Sequence, residues 1–253
     1  MGGMRKVLII GVGAGDPEHV TVQAINAMNA VDVFFVLDKG EAAAELTDAR
    51  KALVARYVER TDSRTVVIAD PPRDRAAADY AGAVKDWRDE RARLLGEAIE
   101  RELGPDGVGG ILAWGDPALY DGTIRILEGI GGVEYDVIPG ISSVQILTAR
   151  HRVTLNRVAG SVHITTGRRL AAEWPAGCDD VVVMLDANLA CRRYRDEPVD
   201  IYWGAYLGTP DEILRSGRLA DVLDDIESVR ADARARKGWI MDTYLLRRRT
   251  ESV

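Results

Sequence analysis

The sequence has little cysteine, little histidine, no long apolar run and no excess of positive charge. Cys178 and Cys191 form no CxxC pair and join no Cys/His cluster, which argues against a structural zinc site and against a disulfide framework. The histidines His19, His151 and His163 are scattered, and His163, inside an apolar strand, reads as a core side chain. Apolar stretches last a few residues, where a bilayer span needs ~20. No basic-then-apolar leader precedes the first strand, and Lys6 stands where a myristoylation signal needs Ser or Thr. A cytoplasmic protein that enters no membrane is therefore expected. The net charge of −7 argues against broad nucleic-acid binding, though not against an anionic small ligand in a local basic pocket.

What is present is an α/β alternation. A chain of 253 residues is long for one core and fits two α/β domains of roughly 100–150 residues each. Strands are expected at Val7–Val12, Asp32–Leu37, Thr65–Ala69, "GVGGILAW" and "VEYDVI". Helices are expected from Thr21 (as N-cap), across Glu41–Val58, from about Ala77 to Leu103, and across Ala118–Ile130. Such alternation implies a mainly parallel sheet. Beyond about Arg157 strand-like runs crowd together ("SVHIT", "DVVVML", "DIYWGAYL", "GWIMDTYLLR") around one firm helix at Arg218–Glu227. The expected organisation is a domain over residues 1–157 and a second, mixed-sheet α/β domain over 158–253.

"GVGAGDPEHVT" after the first strand raises a dinucleotide-binding reading, with Asp38 about 20 residues on as the ribose acid. The spacing is G-x-G-x-G rather than G-x-G-x-x-G, and Asp16-Pro17 follows at once. Asp16 would repel a pyrophosphate and Pro17 lacks an N–H to offer it. Two further Gly/Pro turns, "WGDPALY" and "VIPGISS", also stand at C-terminal strand ends. That edge of an open α/β sheet is where ligands bind, so several backbone segments are expected to approach one ligand.

These three segments, in this order and at these separations, resemble the tetrapyrrole (corrin-pathway) methyltransferases over essentially the whole chain. Within the family, "VFFVLDKG", "DPPRDR" and "WGDPALYD" look most like the deacetylating member of aerobic cobalamin synthesis. The resemblance implies two α/β domains with a ligand cleft between them, S-adenosylmethionine as methyl donor (leaving as S-adenosylhomocysteine) and a homodimer. It implies methylation of precorrin-5 at carbon 1 with release of acetate. Trp114, Gly115, Asp116 and Leu119 would lie against the cofactor, as would Ser142 and Ser143 after "PGI". Met184, Leu185 or Asp186 would meet the adenine, and Gly208-Thr209 the adenosine. Ala14 stands where relatives often have proline.

Methyl transfer from a sulfonium needs no enzymic nucleophile, consistent with a sequence lacking a Ser/His/Asp signature and a metal cluster. Releasing acetate requires water to attack an acetyl carbonyl, and Asp38 or Asp121, each just after a strand end, could position it. A polycarboxylate tetrapyrrole needs cations: Arg73, Arg75, Arg150 and Arg168 are candidates, with Tyr120 beside the Gly-Asp-Pro turn, and Arg192, Arg193 and Arg195 are further choices. The run Arg247–Arg249 reads as a solubilising or dimer-edge feature. Another corrin-pathway methyltransferase, a nicotinamide oxidoreductase and a non-catalytic tetrapyrrole binder are the competing readings.

Overall fold

In a computed structural model of the chain, residues 4–38, 44–72 and 79–249 are described. They fall into two compact units, Met1–Ile141 and Ser142–Val253. Relative to the break expected at 157, these contacts group the segment after "PGI" with the second unit, because it forms a helix, Ser143–His151, that packs on that unit's sheet.

The first unit holds strands β1 (Arg5–Gly11), β2 (Val33–Asp38), β3 (Arg64–Ala69), β4 (Val108–Ala113) and β5 (Val133–Ile138). They form one sheet in the order β3-β2-β4-β1-β5, every pairing parallel. Helices α1 (Val22–Asn29), α2 (Ala44–Tyr57), α3 (Tyr80–Glu102) and α4 (Thr123–Glu128) connect them. Period-two alternation divides each strand between two cores. Val7, Ile9, Val33, Phe35 and Ile111 join Leu95, Ile99 and Leu127 of α3 and α4. Leu8, Ile10, Phe34 and Leu112 join Ala24, Met28 and Leu53 of α1 and α2.

One sequence expectation needs correction here. The helix expected over Ala118–Ile130 is only Thr123–Glu128. Tyr120 turns the chain at φ +55, and the Asp121 carboxylate accepts the Thr123 N–H at 2.7 Å, so the helix cannot start earlier. The inward face of α3 carries Arg91, Leu95, Ala98 and Ile99. Of the helices expected over Glu41–Val58 and from Ala77, Glu41–Ala43 and Ala77–Ala78 lie outside the described residues.

The second unit holds β6 (Val162–Thr166), β7 (Asp180–Met184), β8 (Val199–Ala205), β9 (Ile213–Arg218) and β10 (Asp242–Arg248). Their order is β6-β7-β10-β8-β9, with only β6–β7 parallel. α5 (Ser143–His151) packs on one side against β8, β9 and β10. α6 (Gly167–Ala172) and α7 (Leu219–Lys237) complete a core with Trp203, Val183, Tyr244 and Leu246. α7 runs ten residues past the expected Glu227 to a left-handed Gly238. β9 was not foreseen, and His163, on edge strand β6, is exposed rather than core. Arg247 and Arg248 are not a free basic run: they pair with Asp180 and Glu197.

One buried ion pair fixes the end of β3. Arg91 holds Asp70 through two bonds of 2.5 Å, both side chains about nine-tenths buried. The Trp87 ring lies 3.7 Å from the guanidinium, and its Nε1 donates to Pro71 O. The Asp70 N–H in turn donates to Asp38 O at 2.9 Å, tying this pair to the end of β2. Removing one partner leaves the other charge buried and alone. Asp70→Ala should therefore lose about 3–5 kcal/mol of stability by urea unfolding, and Arg91→Met, Asp70→Leu together considerably less.

Candidate functional site

At the C-terminal edge of the first sheet the three glycine turns meet at backbone level. Gly115 N donates to Gly13 O at 2.7 Å and Gly13 N to Gly115 O at 3.3 Å. Asp116 closes the arrangement, one carboxylate oxygen accepting Ala118 N and the other Gly140 N, each at 2.9 Å. A Cβ on Gly140 would run into the Gly115 carbonyl oxygen, and one on Gly11 would lie 2.6 Å from Gly140 N. Only glycine permits such an approach.

The first turn is not a phosphate loop. The N–H groups of Val12 and Gly13 are bonded to Ala113 O and Gly115 O, so neither is presented to a pyrophosphate. Asp16 instead caps the short Pro17–His19 turn by accepting Glu18 N, and Pro17 O accepts the Tyr57 hydroxyl. Ala14 is buried.

Around this junction the structure gathers most of the residues expected in the first unit. Trp114 and Leu119 are half-buried beside the turn, and Tyr120 is exposed. Asp121 accepts Thr123 N just ahead of α4, and Asp38 stands half-buried at the end of β2. Arg73 and Arg75 lie outside the described residues. Sequence reading missed Arg50 of α2, whose Nε donates to Leu112 O at 3.0 Å. Its helical neighbours gave no cue, since an arginine on an exposed-looking helix normally reads as solvated.

In the second unit the expected residues lie at two places in the sheet and on α5. Ser142 caps α5, its hydroxyl accepting Val144 N and donating to Gln145 Oε1, while the Ser143 hydroxyl lies 3.3 Å from that of Thr243. After β8, Gly208 (φ +76) donates its N–H to Glu212 Oε2, and the Thr209 hydroxyl donates to Tyr206 O. Arg150 is bound to the same Glu212 at 3.0 Å, so its charge already has a partner. Arg168 is exposed in the first turn of α6. Arg192 and Arg195, also conceivable from sequence, pair with Glu227 and Asp224.

The turn after β7 has the most elaborate support. Leu185 is held at φ +53 with its side chain 67% exposed, a conformation that needs outside enforcement in a γ-branched residue. The enforcement comes from Asp186, buried, which accepts Asn188 N, Ala190 N and the Tyr244 hydroxyl. Gly167 passes so close that a Cβ would overlap the Asp186 carboxylate. Arg230 of α7 donates to the backbone carbonyls of Asp186 and Ala187 and pairs with Asp242 at 2.8 Å. Burial, then the neighbouring Cys191 and Asp186, push the Tyr244 hydroxyl well above its usual pKa, so it remains a donor. Burial and the Asp186 charge push the Cys191 thiol up to about 12, which leaves it inert.

The glycine junction offers backbone without side chains where a Cβ would intrude, and Leu185 offers an apolar face. Among the described residues no group of His, Cys, Asp and Glu could hold a metal ion, and no helix is long and apolar enough to cross a membrane.

The model of the Tetrapyrrole (Corrin/Porphyrin) Methylases matches residues 6–223. A curated relative, precorrin-6A synthase [deacetylating] of Sinorhizobium sp, is 53% identical over 97% of this chain and 96% of its own. The crystal structure of a putative cobalamin synthesis related protein (CobF) from Corynebacterium diphtheriae is 36% identical, with TM-score 0.82 over 97% of this chain and 99% of that one. Uroporphyrin-III C-methyl transferase from Thermus thermophilus, solved with S-adenyl homocysteine, is 17% identical. Its TM-score is 0.60 over 95% of this chain and 91% of its own, a likeness of fold.

Two substitutions test the supports. Gly140→Ala should lower stability by about 3 kcal/mol and lose S-adenosylhomocysteine binding by calorimetry, while Gly131→Ala, where a Cβ meets nothing, leaves both intact. Tyr244→Phe should lower stability by about 1.5–3 kcal/mol in urea unfolding, because a buried carboxylate loses a donor.

Proposed function

The chain belongs to the tetrapyrrole (corrin/porphyrin) methylases, and we propose that it methylates precorrin-5 at carbon 1 and releases acetate, forming precorrin-6A. The observation that carries this reading is the 53% identity to the Sinorhizobium enzyme over 97% of this chain. The first turn does not favour a nicotinamide cofactor, since its Val12 and Gly13 N–H groups are engaged within the fold and Asp16 stands beside them.

When bound, S-adenosylmethionine supplies a sulfonium-activated methyl group for in-line displacement. The chain's own work is then to hold, orient and keep out water. Trp114, Gly115 and Asp116 provide one wall for the donor, with Leu119 beyond; Asp116 keeps acceptor capacity after binding Ala118 and Gly140. Leu185 provides the apolar contact for adenine, with Asp186 behind it as support, and Gly208-Thr209 approaches the adenosine. Ser142 and Ser143 set the start of α5 in the second unit.

Acetate release needs a different act. Asp38 or Asp121 takes a proton from water as the water oxygen attacks the acetyl carbonyl; the acyl carbon–carbon bond breaks with its electron pair going to the macrocycle carbon, which takes the proton back from the carboxyl group, and the acetic acid released ionises to acetate. Tyr120 and Arg168, both exposed, and Arg150, shared with Glu212, are the groups offered to the macrocycle's side arms; Arg73 and Arg75, expected beside them, lie outside the described residues. The protein acts as a cytoplasmic homodimer.

Mass spectrometry after incubation with precorrin-5 and S-adenosylmethionine should show one methyl gained and one acetyl lost. Methyl gain alone would mean another corrin-pathway methyltransferase, and neither change would refute the reading. The double variant D38N/D121N should bind S-adenosylhomocysteine as the wild type does, yet release acetate about 100- to 10,000-fold more slowly. Normal acetate release by that variant removes both carboxylates from the mechanism.

A further inference from the structure

Arg50 is a half-buried cation that has no counter-ion among the described residues. Arg91, Arg230 and Arg247, by contrast, are paired with Asp70, Asp242 and Asp180. Arg50 makes no ion pair among the described residues. Its Nε and Nη1 donate to neutral carbonyls, Leu112 O at 3.0 Å and Leu46 O at 3.3 Å, and Nη2 donates to no described residue. Burial lowers its pKa, and the one charge acting against that is Asp121. Asp121, held by Thr123 N, offsets the charge from a distance without closing the guanidinium fork.

A second group beside it lacks a partner as well. The Trp114 ring centroid lies 6.0 Å from the Arg50 guanidinium carbon, and Trp114 Nε1 is buried with no acceptor. An unmet buried N–H is costly, and a desolvated cation without a counter-ion more so. The fold meets the guanidinium with two carbonyls and the Trp114 ring, and leaves Nη2 and the indole N–H without an acceptor among the described residues. Both are donors, neither can accept, and both sit where β4 ends at the glycine junction. Their complement is an anion that only accepts, with two oxygens to take an Nη and an indole N–H: a carboxylate.

We propose that Arg50 and Trp114 Nε1 form a carboxylate-binding subsite at this edge of the sheet. The proposal rests on the reading that the chain methylates a polycarboxylate tetrapyrrole, whose side arms are one source of the carboxylate. The methionine carboxylate of the methyl donor is the other. The guanidinium fork supplies charge and direction, and the indole N–H fixes the plane of the bound group.

The test compares wild type, R50Q, R50K and W114F in steady-state turnover of precorrin-5 and in calorimetry with S-adenosylhomocysteine. Expected for R50Q is a KM for precorrin-5 raised about 10- to 100-fold, with kcat within about threefold and an unchanged thermal midpoint. W114F should shift KM in the same direction by less, and R50K should recover part of it. A loss of S-adenosylhomocysteine affinity in place of the KM change assigns the same subsite to the donor's carboxylate. Should R50Q not fold, R50K and W114F carry the comparison. Folded variants with unchanged KM and unchanged S-adenosylhomocysteine affinity overturn the subsite. A wild type that binds S-adenosylhomocysteine but leaves precorrin-5 unaltered overturns the activity instead, and the calorimetric arm still decides on Arg50.

Discussion

The first unit depends on a contact that no side chain could survive: Gly140 against the Gly115 carbonyl, with Gly11 directly beneath. Parallel strands deliver their C-terminal ends to one edge, but nothing in sheet pairing requires the turns beyond them to touch. Here they do, because the Asp116 carboxylate draws Gly140 N to one oxygen and Ala118 N to the other. Gly13 and Gly115 then exchange a pair of backbone bonds across the gap. Glycine and aspartate at these positions are thus one device: the first clears the space, the second fills it with charge-assisted bonds.

The second unit solves a similar problem with buried polar side chains. A turn that holds Leu185 at positive φ with its side chain exposed would relax if left alone. Asp186, Tyr244, Arg230, Asp242 and Trp203 form a connected set behind it, with Trp203 Nε1 also donating to Asp242. Such a set is stabilising only when every member has a partner. It explains why Arg230 interrupts an otherwise apolar stripe of α7 running Leu219, Leu223, Ile226 and Ala233. That same interruption hid the second half of α7 from a reading based on apolar periodicity.

Legibility followed the kind of interaction. β1, β2 and β4 were visible because parallel strands covered on both faces read as short apolar runs, and the edge strands β3 and β5 because their β-branched residues recur between turn signals. The three turns were visible because glycine, proline and aspartate act through local backbone geometry. β9 was not, since Ile213–Arg218 is an edge strand whose register comes from β8 and whose residues are mostly half-exposed. The late start of α4 was hidden too, because Tyr120 has to turn the chain at positive φ and sequence carries no sign of that in tyrosine. Asp186 was singled out for a ligand contact, and the structure shows what a sequence could not: three of its acceptor sites already serve the fold.

Arginine poses the hardest version of this problem. In an acidic chain most arginines have a carboxylate within reach, so residue type alone says little about which of them meets a polyanionic ligand. Arg150, Arg192 and Arg195 looked eligible by position, yet each has an acidic partner within the fold. What separates a binding arginine from a structural one is the balance between desolvation and compensation, and only coordinates reveal it. By that measure Arg50 stands apart from the others: burial weakens its hold on its proton, its bonds go to neutral carbonyls, and an equally unmet indole N–H lies beside it. A charge kept out of water without a partner lowers the stability of the free protein, and the same energy is recovered when an anion arrives. Binding strength at such a point therefore comes from what folding left incomplete.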